Sequence, residues 1–395
     1  MKALNDNAHP LKSLLQQHCP NGVEFKELGE VCELKRGRII SKKYLKDNVG
    51  EYPVYSSQTQ NNGIFGYINS YDFNGEFVSW TTDGANAGSV FYINGKFSVT
   101  NVCGLLSKKT DSISMRFLYF VLSITAKDYV NWSSPNPKLM SNKMAKIKIP
   151  LPPLEIQSKI VEILDTFTEL EAELEAELEA RLKQYHYYRN KLLSHDELEN
   201  RTAKSRNDSD PATLVPYVRL GEACEILDNL RKPITKSKRT QGIYPYYGAN
   251  GIQDYVNEYI FDGDFLLMGE DGSVINKDNS PVLNWVSGKF WVNNHAHILK
   301  EKSNTTNLRF VFFYLQTCDV SSIVRGVPPK INQQNLKTIQ IPLPPLAVQN
   351  EIVELLDKFD TLTNDLTSGI PAEIEARKKQ YEYYRERLLS FIAKD

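Results

Sequence analysis

The sequence predicts an α+β chain in which two pseudo-repeated mixed α/β domains alternate with two long helices that pair with each other. Three observations predict it. The stretch IPLPPLEIQSKIVEILDTF that opens at Ile149 returns as IPLPPLAVQNEIVELLDKF at Ile341, 192 positions later. Each copy leads into a helical pattern that ends in a tyrosine-rich motif, KQYHYYRNKLLS at 183–194 and KQYEYYRERLLS at 379–390. The same offset of 192 carries FKELGEVCE from Phe25 onto YVRLGEACE from Tyr217, so the globular sequence is duplicated as well.

Residues 1–148 form the first domain, opened by a short amphipathic helix around Leu11–Gln17 and a turn at Pro20–Gly22. Short β-like runs such as Phe77–Trp80 and Ser89–Ile93, broken by Asn-Gly and Asp-Gly turns, predict a mixed sheet. Apolar residues at helical spacing in Arg116–Ser123, and again in Arg309–Gln316, place one helix on each sheet. The first spacer, 149–195, begins extended because proline disfavours helix in the residue before it. From Ile160 to Leu192 apolar residues then recur every three or four positions, a helix of roughly 40 residues or about 60 Å. Within it Glu169–Ala180 is three tandem Glu-Leu-Glu-Ala units, each adding about 6 Å.

Residues 196–214 are polar and unpatterned, which predicts a flexible linker; 215–340 form the second domain and 341–395 the second spacer. In that spacer Ser368-Gly-Ile-Pro371 interrupts the pattern, predicting a break near Gly369 and a restart at Pro371.

The formal charge of −1 conceals segregation. Residues 1–150 carry 18 Lys and Arg against 12 Asp and Glu, and 201–340 carry 17 against 14. The spacers are acidic, with 5 against 12 over 151–200 and 7 against 10 over 341–395. Positive surface therefore lies on the globular domains, where a polyanion could dock. Five scattered cysteines without a C-x-x-C pair, and no leader pattern, predict reduced thiols and a cytoplasmic chain. No apolar run approaches the length of a membrane span.

Catalytic signatures are absent from the sequence. There is no G-x-x-x-x-G-K-[S/T] phosphate cradle, and Ser134-Pro-Asn-Pro-Lys138 lacks the aromatic that an adenine methyltransferase places after Asn-Pro-Pro. His195, His295 and His297 fall at no metal-ligand spacing, so no metal is expected. Trp80 and Trp291 are expected in the core, and Asp83 and Asp271 in turns.

The duplicated architecture, the IPLPPL-x-x-Q lead-ins, the x-A-R-x-K-Q-Y-x-Y-Y-R helix ends and the four-residue spacer units together resemble the specificity subunit of Type I restriction-modification systems (HsdS), over essentially the whole chain. The resemblance implies that each globular domain is a target-recognition domain for one half of a bipartite double-stranded DNA site. It also implies that the two helices pack antiparallel as a coiled coil and fix the gap. The implied partners are methyltransferase subunits (HsdM, two copies) and restriction subunits (HsdR). S-adenosylmethionine, ATP and Mg would belong to those partners, with no cofactor in this chain.

Reading DNA needs cations for phosphates and amides or guanidinium groups for base edges. In the first domain the candidates are Lys35, Arg36, Arg38, Lys42, Lys43, Ser57, Gln58, Asn61, Asn62 and Lys138. In the second they are Arg231, Lys232, Lys236, Lys238, Arg239, Asn250, Gln253, Asn293, Asn294 and Lys330. Candidates for HsdM contact, taken as exposed, are Tyr185, Tyr188 and Arg189 with Tyr381, Tyr384 and Arg385. The competing reading is a coiled-coil interaction scaffold whose two domains bind protein or glycan. Steep salt dependence of binding separates the first reading from the second.

Overall fold

The computed structural model describes residues 10–133, 135–205, 215–302 and 304–393. The chain forms two compact units, one of residues up to 174 together with those from 374 onward, the other of residues 175–373.

Each unit is built on a six-stranded mixed sheet. In the first unit the strands run, edge to edge, Cys32–Arg36, Cys103–Lys108, Phe73–Thr81, Val90–Val99, Tyr52–Tyr55, Ile64–Ile68. The second unit repeats that order with Cys224–Ile226, Ala296–Glu301, Phe261–Gly269, Leu283–Val292, Gln241–Gly248, Gly251–Val256. Neighbours are antiparallel except at one junction, where Val54 and Tyr55 lie parallel to Ser98 and Val99, and Tyr246 and Tyr247 to Trp291 and Val292. One face of each sheet is covered by a short apolar helix. Met115–Thr125 is capped by Ser114 and buries Phe117, Leu118 and Phe120; Leu308–Leu315 is capped by Asn307 and buries Phe310, Val311 and Phe313.

The repeated glutamine of the IPLPPL-x-x-Q lead-in has a structural reason. Strand Phe25–Glu27 pairs with Lys148–Pro150, which delivers the chain to the start of helix Leu154–Leu192. There Gln157 is completely buried, its amide nitrogen donating to Ser112 O (2.8 Å) and Pro152 O (2.7 Å) while its oxygen accepts from Ser114 N (2.8 Å). Gln349 does the same in the second unit with Thr305 O (2.9 Å), Pro344 O (2.7 Å) and Asn307 N (2.8 Å). An apolar residue in either position would leave three backbone groups without this partner, one of them fully buried. An arginine pins each domain helix to its spacer as well: Arg116 bonds Asp165 at 2.8 Å, and Arg309 bonds Asp357 and Asp360 at 2.7 Å.

The spacer helices pair antiparallel. In the first unit Phe167 stacks on Tyr384 (5.3 Å between centroids), Glu171 meets Lys378 (3.4 Å), and Leu388 and Leu389 share a core with Ile156, Ile160 and Leu164. In the second unit the equivalent stack is Tyr188 on Phe359 (5.7 Å), with Tyr185 and Leu192 in one core with Ile352 and Leu356. As one partner's number rises the other's falls.

The first spacer helix is continuous over Leu154–Leu192, 39 residues. The second is split into Leu346–Asn364 and Ile370–Ala393, so the restart comes at Ile370 with Pro371 in the first turn. Asp365 turns the chain there by accepting from Thr367 N (2.7 Å) and Thr367 Oγ1 (2.6 Å). Gly369 is required because a Cβ on it would sit 2.5 Å from Thr361 O.

The flexible linker expected over 196–214 is corrected in its first half; 206–214 lie outside the described residues. His195–Ser205 is a helix that buries Leu198 and Thr202. Arg201 fastens it by pairing with Glu197 (2.7 Å) and with Glu351 of the second spacer (2.5 Å). A polar helix of this length is marginal alone and forms here because Leu198 joins the second unit's core.

Candidate nucleic-acid interface

In each unit the loops at one end of the central strands are bonded to one another and form a rim. In the first unit Thr100 Oγ1 donates to Ser56 Oγ (3.0 Å), Asn86 Nδ2 to Ser57 O (3.1 Å) and Gly84 N to Pro137 O (3.0 Å). Asp83 bridges to Lys138, and Lys138 to Asn131. Ser57 and Lys138 are thus both tied to the Asp83–Asn86 loop, while Arg36 lies exposed on the edge strand opposite Gly104. Gln58 is half-buried and donates to Ile64 O, closing the loop whose exposed tip is Asn61 and Asn62. Both asparagines hold φ +50°, a left-handed conformation that asparagine tolerates better than most residues. Lys42 and Lys43 stand exposed on a separate helix, Lys42–Asp47, packed through Leu45 on Gly66. Lys35 pairs with Glu33 (3.2 Å) along the edge strand.

The second unit builds its rim on an ionic network. His297 is wholly buried, its Nδ1 2.6 Å from Asp228 Oδ2 and its Nε2 2.8 Å from Ile331 O. Both ring nitrogens face oxygens, and the imidazole is held between Asp228 and, at 3.8 Å, Glu270. Glu270 also takes Arg231 and Lys330 (3.0 Å), while Arg231 donates to Ala296 O (2.9 Å) and Asp228 O (2.9 Å). Burial works to raise the carboxyls of Asp228 and Glu270, but it is outweighed by hydrogen bonds, from His297 to Asp228 and from Arg231 and Lys330 to Glu270; both sit below the ordinary carboxylate range. Asp228, Glu270 and His297 lie within metal-ligating distance of one another, yet their charges are already answered by Arg231 and Lys330. His295 pairs with Asp271, which bridges to Lys330, and Asn293 donates to Gln253 (3.2 Å).

The sequence candidates divide accordingly. Lys232, Lys236, Lys238, Asn250, Gln253, Asn294 and Lys330 are exposed. Arg231, Arg239 and Asn293 are drawn inward: Arg239 pairs with Asp254 (3.2 Å) over the Tyr246 ring, and Asn293 is buried. Arg38 bonds Asp72 (2.9 Å) and lies over Tyr44 but stays exposed. Arg231 and Arg239 are corrected from exposed candidates to inward-turned ones, because a planar guanidinium suits internal carboxylates and carbonyls. Trp80 and Trp291 are core residues, donating to Leu139 O (2.9 Å) and Lys232 O (2.6 Å). Burial pushes the thiols of Cys32, Cys103 and Cys224 up to about 12, leaving them unreactive.

The tyrosine motifs need a similar correction. Tyr185 is 2% exposed and Arg189 is buried, both bonded to Gln316, and Tyr381 is half-buried beneath Arg385. Tyr188, though stacked on Phe359, is exposed as expected, and Tyr384 is half-buried in its stack on Phe167. The outward residues are Tyr187, 61% exposed, and Tyr383, 55% exposed, at equivalent places in the two repeats. Helical spacing contains the signal: Tyr185, Tyr188 and Leu192 continue the apolar stripe, so Tyr187 points away from it.

Two sheets of one order, each with its own rim and its own share of the paired spacers, define a duplicated recognition protein. The chain belongs to the Type I restriction modification DNA specificity domain family, whose model matches residues 20–184 and again 215–376. Among curated proteins it is 33% identical over 372 residues to one described as type I specificity subunit S.MpnORF507P of Mycoplasma pneumoniae, covering 93% of this chain and 97% of that one. It is 43% identical over 185 residues to the type I restriction enzyme MpnII specificity subunit of the same organism, covering 46% of this chain and 56% of that one. The crystal structure of the Type-I restriction-modification system S subunit from M. genitalium shares the fold, with TM-score 0.62 at 16% identity, over 95% of this chain and 97% of that one. Among the described residues no helix is long and apolar enough to cross a membrane.

Proposed function

We propose that this specificity subunit is itself non-catalytic and reads a bipartite double-stranded DNA site, one half per unit, on behalf of adenine-methylating HsdM subunits, two copies, and an HsdR restriction subunit. S-adenosylmethionine, ATP and Mg act on those partners, and no step of the chemistry uses a residue of this chain. One observation supports this reading above the others: the same scaffold occurs twice with different chemistry on its rim. Asp83 and Lys138 recur as Asp271 and Lys330, whereas the loop Ser56–Asn62 has no like-sequenced counterpart. A common frame with divergent tips suits two readers of different sequences. Exposed lysines supply phosphate contacts, and Asn61, Asn62, Asn250, Gln253 and Asn294 present amides of the kind that pair with adenine edges.

The test is reconstitution with the methyltransferase subunit, followed by methylome sequencing and duplex binding at two salt concentrations. The expected result is one bipartite methylated motif, with affinity falling by orders of magnitude between 50 and 200 mM salt, on the order of the loss that several phosphate contacts produce. Binding indifferent to salt, or no motif, refutes the reading.

A further inference from the structure

The second unit carries a loop that the sequence candidates reach only at Lys330 and that the family assignment does not account for. Residues 325–330, Arg-Gly-Val-Pro-Pro-Lys, are exposed without interruption, and Val327 at the tip is 101% exposed. The loop is nonetheless fixed. Arg325 and Lys330 close it with a reciprocal pair of backbone bonds (2.9 and 2.7 Å). Its far limb is tied to the rim by Gly272 N to Pro329 O (2.9 Å) and Ile331 N to Glu270 O (2.8 Å). Gly326 supplies the left-handed φ of +81° that the turn requires, and Pro328 and Pro329 stiffen the return. The result is a preorganised projection, apolar at its tip and cationic at both feet, standing beside Asn294 and His295 through Glu270 and Asp271.

A single exposed valine is ordinary on a surface, but here three consecutive apolar residues are held out by a clamped loop that has only cations for charges. Such a tip suits a partner that is anionic at its flanks and offers one apolar group between them. Duplex DNA fits: phosphates line the groove, and the one apolar group on a base edge is the thymine 5-methyl in the major groove. On the DNA-reading role proposed above, we infer that Val327 reads a thymine methyl in the half-site of the second unit, with Arg325 and Lys330 seating the loop on adjacent phosphates.

The experiment uses the full chain assembled with its methyltransferase subunits. Methylome sequencing first gives the wild-type motif; duplexes are then prepared in which each thymine of the second half-site is replaced in turn by deoxyuridine, which removes only the methyl. One replacement is expected to weaken wild-type binding about fourfold, the weight of one buried methyl group. Val327→Ala is expected to bind thymine and deoxyuridine duplexes equally and to read the first half-site as before. Wild-type indifference to every replacement, a second half-site without thymine on either strand, or a V327A complex that keeps the preference overturns the inference and leaves the DNA-reading role standing. A wild-type complex that does not distinguish its motif from a scrambled duplex removes both.

Discussion

The buried network of the second unit can be tested by removing its anion. Asp228→Ala takes away the carboxylate that meets His297 Nδ1 (2.6 Å), Ile298 N (3.1 Å), Gln333 Nε2 (3.0 Å) and Arg231 (3.7 Å), and leaves the wholly buried His297 Nδ1 with only Glu270, at 3.8 Å, beside it. Breaking a buried pair from one side costs roughly 3–5 kcal/mol, a large share of the 5–15 kcal/mol typical of a domain. Each 1.4 kcal/mol is a factor of ten. Hydrogen exchange by mass spectrometry should therefore show amides of Phe261–Gly269 and Ala296–Glu301 exchanging roughly two to four orders of magnitude faster. Strands Phe73–Thr81 and Cys103–Lys108 have no member of this network and should be unchanged. The pH dependence follows from the lowered carboxyl of Asp228. A depressed folded value contributes stability that is complete above the unfolded value, about 3.9, and is lost as pH falls through the folded one. The wild type should keep the contribution at neutral pH and lose it only below about pH 4. Exchange within threefold of wild type in the second unit, or acceleration shared by both, refutes the argument.

Two further outcomes are expected. Tyr187→Ala and Tyr383→Ala should each weaken association with the methyltransferase subunit by about 30-fold, the weight of an interface hot spot, in sedimentation or titration, while thermal stability holds; Tyr185→Ala should instead destabilise the second unit, because its ring lies in the core. Deleting one Glu-Leu-Glu-Ala unit from 169–180 shortens the helix by about 6 Å and should change the gap between half-sites by no more than about two base pairs, leaving both half-site sequences intact in the methylome. An altered half-site with an unchanged gap contradicts the second outcome.

The duplication made the fold legible. A spacing of 192 residues between recurring motifs implied one fold used twice and two spacer helices available to each other, and the two sheets do share one strand order. Helix His195–Ser205 escaped that reading because its pattern is polar and only Leu198 carries it into the core. The inward turn of Arg231 escaped for a different reason: its partner Glu270 is 39 residues away, and nothing in local sequence says that a basic side chain will meet a carboxylate from a distant strand end.

The divergence of the two rims begins in the core beneath them, which is why loop sequence alone underdetermines it. In the first unit Trp80 is paired across the sheet with Gly104, and its indole donates to Leu139 O at 2.9 Å. A Cβ on Gly104 would lie 2.1 Å from that ring, so the glycine is a condition of the tryptophan. In the second unit the matching pair is Met268 with His297, and the equivalent carbonyl, Ile331 O, is met from the other strand by imidazole at 2.8 Å. One buried acceptor is thus met in both units, by an indole in the first and by an imidazole in the second. The imidazole is met by Asp228, and Glu270 beside it holds Arg231 inward while pairing with the exposed Lys330. The two units therefore differ in a core pair directly beneath the place where their rim charges differ. A repeat of this kind can acquire a new reading surface from its core outward while the strand order and the spacers stay the same.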